Sequence, residues 1–273
     1  MINENTIYKG YKIVEGNTEF INEYLSDINI NEWYINEYVI IKNTDDGSEK
    51  EMRWDGEMFV PLKLPPSKYI KGKNALQRCA LDMLNNPNIT ICVLLGRPGS
   101  GKSFQCTKMA RYCVVEKGAQ SRILFVREPW GEGRSEGFLK GNFTEKNSVW
   151  ELPIIQQFDG QEFEVDMLRK QGIIEFNIPT YMKGTTYPST ILCVDEAEDL
   201  TEKQLRLIGT RIGEDGRIFF DGDINQSLLD HSKNNPLLKM CDYFKGNPLF
   251  ACVWLTEDVR SETSKLFADM YFD

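Results

Sequence analysis

Residues 96–103 read Gly96-Arg97-Pro98-Gly99-Ser100-Gly101-Lys102-Ser103, and every fixed position of G-x-x-x-x-G-K-[ST] is filled. An apolar run of strand length, Ile89–Leu95, precedes the stretch, and a helical pattern, Lys102–Lys117, follows it. Strand, glycine loop and helix are the context a phosphate-binding loop needs. The rival reading, a glycine-rich turn without a ligand, accounts for the glycines but not for the lysine, the serine and their surroundings together. Glycines let the backbone bend around phosphates and aim its N–H groups at them, and the positive end of the following helix adds to the attraction. Lys102 is expected to reach the β- and γ-phosphates of a nucleotide, and the Ser103 hydroxyl to bind Mg²⁺. The whole run from Gly96 through Phe104, with Arg97, Pro98, Gly99, Ser100 and Gly101 between, is the candidate nucleotide cradle.

Working outward, the chain alternates apolar strand-like runs with helical patterns. The runs are Ile89–Leu95, Ile123–Val126, Ile173–Ile178, Ile191–Val194, Ile218–Phe220 and Phe250–Leu255. The helical patterns are Ala75–Leu84, Lys102–Lys117, Glu162–Lys170, Thr201–Ile212 and Ser261–Tyr271. Such alternation predicts an α/β layered fold with a mostly parallel sheet. A linker-like stretch with Pro61, Pro65, Pro66 and Gly72 divides the chain, giving a first segment 1–70 and a second 71–273,. In the first, Thr18–Asp27 has the spacing of a short amphipathic helix. Trp33–Ile41, Met52–Trp54 and Met58–Leu62, joined by Asp45-Asp46-Gly47 and Asp55-Gly56, read as a small β-meander,. Three short strands cannot bury a core alone, so this β-rich segment is expected to pack on the rest of the chain or on a neighbouring subunit.

Two further stretches carry acids where chemistry needs them. Ile191-Leu192-Cys193-Val194-Asp195-Glu196 is an apolar strand ending in two carboxylates. Beside a complete phosphate loop, Asp195 is expected to hold Mg²⁺ and Glu196 to orient or activate the attacking water. The rival is a solvated acidic helix start, since Glu198 and Asp199 follow. In Phe219-Phe220-Asp221-Gly222-Asp223-Ile224-Asn225-Gln226, a strand ends in a Gly-Asp turn and the Gln226 carboxamide is placed to sense the γ-phosphate or the water. Three arginines, Arg127, Arg211 and Arg260, follow strands or helices. Arg127 either contacts phosphate or pairs with a carboxylate. Arg260, after the last strand, ranks above Arg211 as the cation for the γ-phosphate.

The chain has 273 residues, with 41 acids against 32 basic side chains and a net charge of −9. Residues 1–70 hold 13 acids and 7 bases, so the acidity is concentrated there. This balance gives no support to non-specific nucleic-acid coating. Absence of a run of 18 apolar residues predicts no membrane span. Seven scattered cysteines without a C-x-x-C pair, together with a lone histidine, His231, predict reduced thiols in a cytoplasmic protein and no zinc site,.

Together these motifs resemble the PhoH family, RecA-like ATPases allied to superfamily 1 helicases. The resemblance runs from about Lys71 to Phe272. Asn74-Ala-Leu-Gln77-Arg-Cys-Ala-Leu81 is similar to the family's N-x-x-Q-x-x-A-L, which implies that Gln77 reads the adenine edge. Arg127-Glu-Pro129 and Glu136-Gly-Phe-Leu-Lys-Gly141 resemble its R-P and E-x-x-G-F-L-P-G elements, with Lys140 in place of proline. Tyr181-Met-Lys183-Gly-Thr-Thr186 resembles Y-M-R-G-R-T with both arginines replaced, and Asp195-Glu-Ala-Glu198 stands where the family has D-E-A-Q. Thr210-Arg211-Ile-Gly213, Gly222-Asp223-x-x-Gln226 and Asp258-Val-Arg260 resemble T-R-I-G, G-D-x-x-Q and D-V-V-R. Asn36–Ile40 and Trp54–Gly56 resemble parts of the β-rich RNA-binding module of longer PhoH-like proteins, without the PIN nuclease domain that precedes it there. The resemblance implies a RecA-like P-loop NTPase that hydrolyses ATP with Mg²⁺. It also implies a homo-oligomer, a ring of six being one arrangement, and work on RNA or other single-stranded nucleic acid. Two readings stand beside it: a P-loop kinase of a nucleotide or small molecule, and a nucleotide-gated assembly protein.

Overall fold

The computed structural model describes residues 7–26, 32–128, 150–229 and 234–269. The chain enters through β1 (Tyr11–Gly16) and α1 (Thr18–Ser26), then β2 (Tyr38–Asn43), β3 (Glu49–Trp54) and β4 (Phe59–Pro61). The last three form the expected meander. The Asp45–Gly47 turn closes its first hairpin through Gly47 N donating to Asn43 O at 2.9 Å and Ser48 N to Asp46 Oδ1 at 2.8 Å. The structure adds β1, which pairs parallel to β2. Its sequence, Tyr-Lys-Ile-Val-Glu-Gly, alternates with charge and buries only Val14, so no apolar run announces it.

β2 is buried on both faces. Val39 and Ile41 pack outward with Val14, Ile21, Trp33, Met52 and Trp54. Tyr38 and Ile40 point the other way and join the main core. The small sheet therefore has no complete core of its own, and its inner face is completed by α2 (Ala75–Asn85),. A buried polar network crosses the same seam. Asp82 accepts from the Tyr38 hydroxyl at 2.9 Å, Arg53 Nε at 3.0 Å and Lys63 N at 2.6 Å. Arg53 Nη1 donates to Asn36 Oδ1 at 3.0 Å, and Asn36 Nδ2 donates to Pro248 O and Phe250 O. Arg78 ties α2 to Glu49 and Glu51.

The second sheet is built from β5 (Ile91–Gly96), β6 (Arg122–Val126), β7 (Ile174–Asn177), β8 (Thr190–Val194), β9 (Arg217–Gly222) and β10 (Phe250–Leu255). Its order is β10-β5-β9-β8-β6-β7 and every pairing is parallel. The central strands are largely apolar because both faces of the sheet are covered,. One core contains residues of α2, α3 (Lys102–Arg111) and α4 (Gln161–Lys170). The other contains residues of α5 (Glu202–Gly209) and α6 (Pro236–Phe244). The chain's last described element is α7 (Glu262–Asp269). The expected helix Lys102–Lys117 changes pitch at a single π-helical stretch, Tyr112–Glu116. Arg217 closes the C-terminal end of α2, its guanidinium donating to Leu84 O at 2.7 Å and Ile89 O at 2.9 Å. All seven cysteines are free and buried. No described helix is long and apolar enough to cross a membrane.

Candidate functional site

The glycine loop leaves the end of β5 and turns into α3. It does so through left-handed backbone at Gly99, φ 78°, and Gly101, φ 91°, which residues with a Cβ adopt at a cost of about 1 kcal/mol or more. A Cβ on Gly99 would also displace the Arg260 guanidinium and the Asp258 carboxylate from where they lie. Gly101 is the N-cap of α3 and offers no side-chain acceptor. The first-turn N–H groups of α3 thus lack an intrahelical partner and face the loop. Lys102 Nζ folds back over the loop and donates to Gly96 O at 2.8 Å and Arg97 O at 3.1 Å.

The acid strand β8 is not the neighbour of β5; β9 lies between them. Ser103, on the first turn of α3, spans that gap. Its hydroxyl lies 3.2 Å from Asp195 Oδ1 and 3.1 Å from Asp221 Oδ1. A hydroxyl flanked by two carboxylates, beside a helix N-terminus and a lysine, is a donor set suited to a hard divalent cation. Asp195 is buried and paired with Arg127 Nη1 at 3.0 Å, and Arg127 Nη2 reaches Glu196 Oε1 at 3.4 Å. Arg127 thus pairs with carboxylates at the edge of the site in this structure. Glu196 adopts left-handed backbone, φ 51°, which turns its half-exposed side chain away from the strand axis.

Asp221 is the residue the sequence argument passed over. It is the penultimate residue of β9, whose register sets Leu94 beside Asp221 and Val194 beside Phe220. That register brings its carboxylate beside Asp195. Burial pushes the Asp221 carboxyl well above the usual range, and Asp195 pushes it the same way. The signal was an acid directly after the apolar run Ile218–Phe220, one step from the strand end. Burial also raises Asp223, against the opposing pull of Lys102.

The remaining expected residues separate. Gln77 sits under the loop, buried, with Nε2 donating to Ser100 O at 2.8 Å and Oε1 accepting from Lys73 N at 2.8 Å. Its carboxamide braces the loop from beneath. Arg260 lies over Gly99 of its own chain, paired with Asp258 at 3.1 Å, while Val259 N donates to Gly99 O at 3.0 Å. Phe104 is exposed on the outer side of the first turn of α3, and Gln226 is exposed just beyond β9, at the loop's end of the sheet. Arg211 is not brought to this site. It precedes β9, so a strand of roughly 20 Å separates it from the loop,. Pro129, the element at 136–141 and His231 lie outside the described residues.

A parallel sheet whose β5 strand runs into G-x-x-x-x-G-K-S, with an acid-ended strand one place removed and a serine hydroxyl joining the two, defines a P-loop NTPase,. The chain belongs to the PhoH-like protein family, whose profile matches residues 69–272. It is similar to protein PhoH2 of Bacillus subtilis, 27% identical over 295 aligned positions that take in 99% of this chain and 66% of that protein. It is also similar to protein PhoH2 of Thermobispora bispora, 28% identical over 234 positions, 84% of this chain and 52% of that one. The chain thus spans between about half and two thirds of the length of these curated relatives. Among solved structures it resembles an arterivirus nonstructural protein 10 (helicase). The identity is 17% and the TM-score 0.33, over 64% of this chain and 37% of that one.

Proposed function

We propose that the chain hydrolyses ATP with Mg²⁺, transferring the γ-phosphate to water. The observation that carries the reading is the Ser103 hydroxyl within 3.2 Å of Asp195, 92 residues further along the chain. Ser103 and Asp195 would hold the cation, with Asp221 beside them. When bound, Mg²⁺ neutralises charge on the β- and γ-phosphates. The loop N–H groups and Lys102 bind those phosphates, with the ammonium leaving Gly96 O and Arg97 O to do so. Glu196 accepts the proton of the attacking water, Gln226 orients that water, and Arg260 supplies a cation from above Gly99. Arg127 holds both acids that follow β8.

Coupling of turnover to RNA or another single-stranded nucleic acid rests on the family resemblance. So do a homo-oligomeric ring and a separate role for residues 1–70. The Glu196 and Gln226 positions favour water over a small-molecule acceptor, which sets hydrolysis ahead of a kinase. The test is phosphate release from ATP with and without Mg²⁺. Release that depends on Mg²⁺ and needs no added acceptor is the expected result. Release only in the presence of a phosphate acceptor overturns the reading in favour of a kinase, and ATP binding without release favours nucleotide-gated assembly.

A further inference from the structure

The turn after β8 carries two acids beyond the pair used above, Glu198 and Asp199, and Glu198 is the buried one. Glu198 is 1% exposed, its Oε2 has no hydrogen-bond partner, and it lies against Gly222 at the end of β9. Its backbone is anchored, since its carbonyl accepts from Ser227 Oγ and Asn235 Nδ2, both at 2.9 Å. Facing its carboxyl are the Glu196 carboxylate and the Asp223 backbone N–H. Two carboxylates that face each other in a buried turn repel unless one carries a proton. The surroundings decide which one. Glu196 is 40% exposed and lies 3.4 Å from the Arg127 guanidinium, which engages its carboxylate. Glu198 is out of solvent, and no described residue forms an ion pair with it.

We propose that Glu198 is a positioning residue for Glu196: it stands in the turn as a neutral carboxylic acid and donates its O–H to the Glu196 carboxylate. Glu196 is then held from below by Glu198 and from the side by Arg127, which fixes the direction it presents to water. Glu198 stands where the resembled D-E-A-Q pattern has a carboxamide, and an acid, unlike a carboxamide, loses its donor when it ionises. Burial, and next Glu196, push the Glu198 carboxyl up to about 10. The other charged groups around it are Asp199 on its own turn, engaged by Leu228 N at 2.6 Å, and Asp223 after β9. α6 turns only the neutral Asn235 and Leu237 toward it.

The inference rests on Glu196 acting as the base in ATP hydrolysis, and two measurements keep the two ideas apart. In the first, turnover is followed against pH. Glu198→Leu, without a donor, should lower kcat about tenfold or more, the size of a lost hydrogen bond to a charged group, with ATP affinity unchanged. Glu198→Gln should stay within about threefold of the wild type and remain active above the pH where the wild type falls off. The second measurement needs no activity. Folding wild-type protein takes up a proton at Glu198 at any pH above the ordinary carboxyl value of 4.5 and below about 10, so its stability is fullest below 4.5 and is lost as pH rises toward 10,. Glu198→Gln removes that uptake, so its melting temperature should exceed the wild type's by a margin that grows with pH. A wild type that releases no phosphate overturns the ATPase reading, while the melting comparison still decides the proton. If Glu198→Leu keeps wild-type kcat, if Glu198→Gln is as slow as Glu198→Leu, or if the melting margin is flat with pH, the positioning role is wrong.

Discussion

The C-terminal ends of β5, β8 and β9 present Lys102, Ser103, Asp195, Glu196, Asp221 and Asp223, whereas their N-terminal ends meet α5 and α6 around an apolar cleft of about 820 Å³ lined by Leu205, Ile218, Met240, Tyr243 and Phe244. The strands are the same and parallel, so the contrast comes from what the connections deliver. In a parallel sheet each helix begins near the end of the strand before it. Helix N-termini, with free N–H groups and positive dipole ends, therefore gather at one end of the sheet, and helix C-termini at the other. Phosphates are drawn to the first end. The second end carries the opposite helix ends and is lined by apolar side chains,.

Four substitutions test that polarity, beginning with the largest effect. Lys102→Ala removes the charge nearest the phosphates from a loop that carries little packing. Phosphate release should fall about a thousandfold while the melting temperature barely changes; turnover near wild type would remove the P-loop from the mechanism. Glu196→Gln keeps the shape and loses the proton acceptor. Hydrolysis should slow about a hundredfold with ATP still bound, and loss of ATP binding instead would make Glu196 a ligand. Arg260→Ala should cost about tenfold, because Arg260 stands at the polar end over Gly99. Arg211→Ala, at the other end, should remain within about threefold in the same assay. A reversal of the two arginines would mean that a second chain completes the site with Arg211.

Much of this polarity was legible beforehand. The six apolar runs became the six strands, and Phe250–Leu255 matches β10 at both ends. The loop, Asp195 and Glu196 were legible because each is tied to a strand end. Residues whose place depends on register or topology were harder. Asp221 needed the β9–β8 pairing before its neighbour was known. Arg211 looked alike in motif at either end of the sheet, and only the direction of β9 assigns it to the far one. Arg260 was legible only as a cation after the last strand, and the path of the chain after β10 is what lays it across Gly99. α6 was missed although Asn235 caps it and Pro236 opens it, a helix-start signal present in the sequence,.

α2 is fastened along its whole length. Gln77 joins its first turn to the loop, Arg78 and Asp82 join its middle to the small sheet, and Arg217 grips its last carbonyls. A rod pinned in this way is a crossbar between two sheets. An unbroken line of contacts runs from Ser100 through Gln77 and α2 to Arg53 and Tyr38 of the small sheet. Amide exchange at Met52 and Arg53, far from any phosphate in sequence, becomes a place to read whether the loop is strained or at rest.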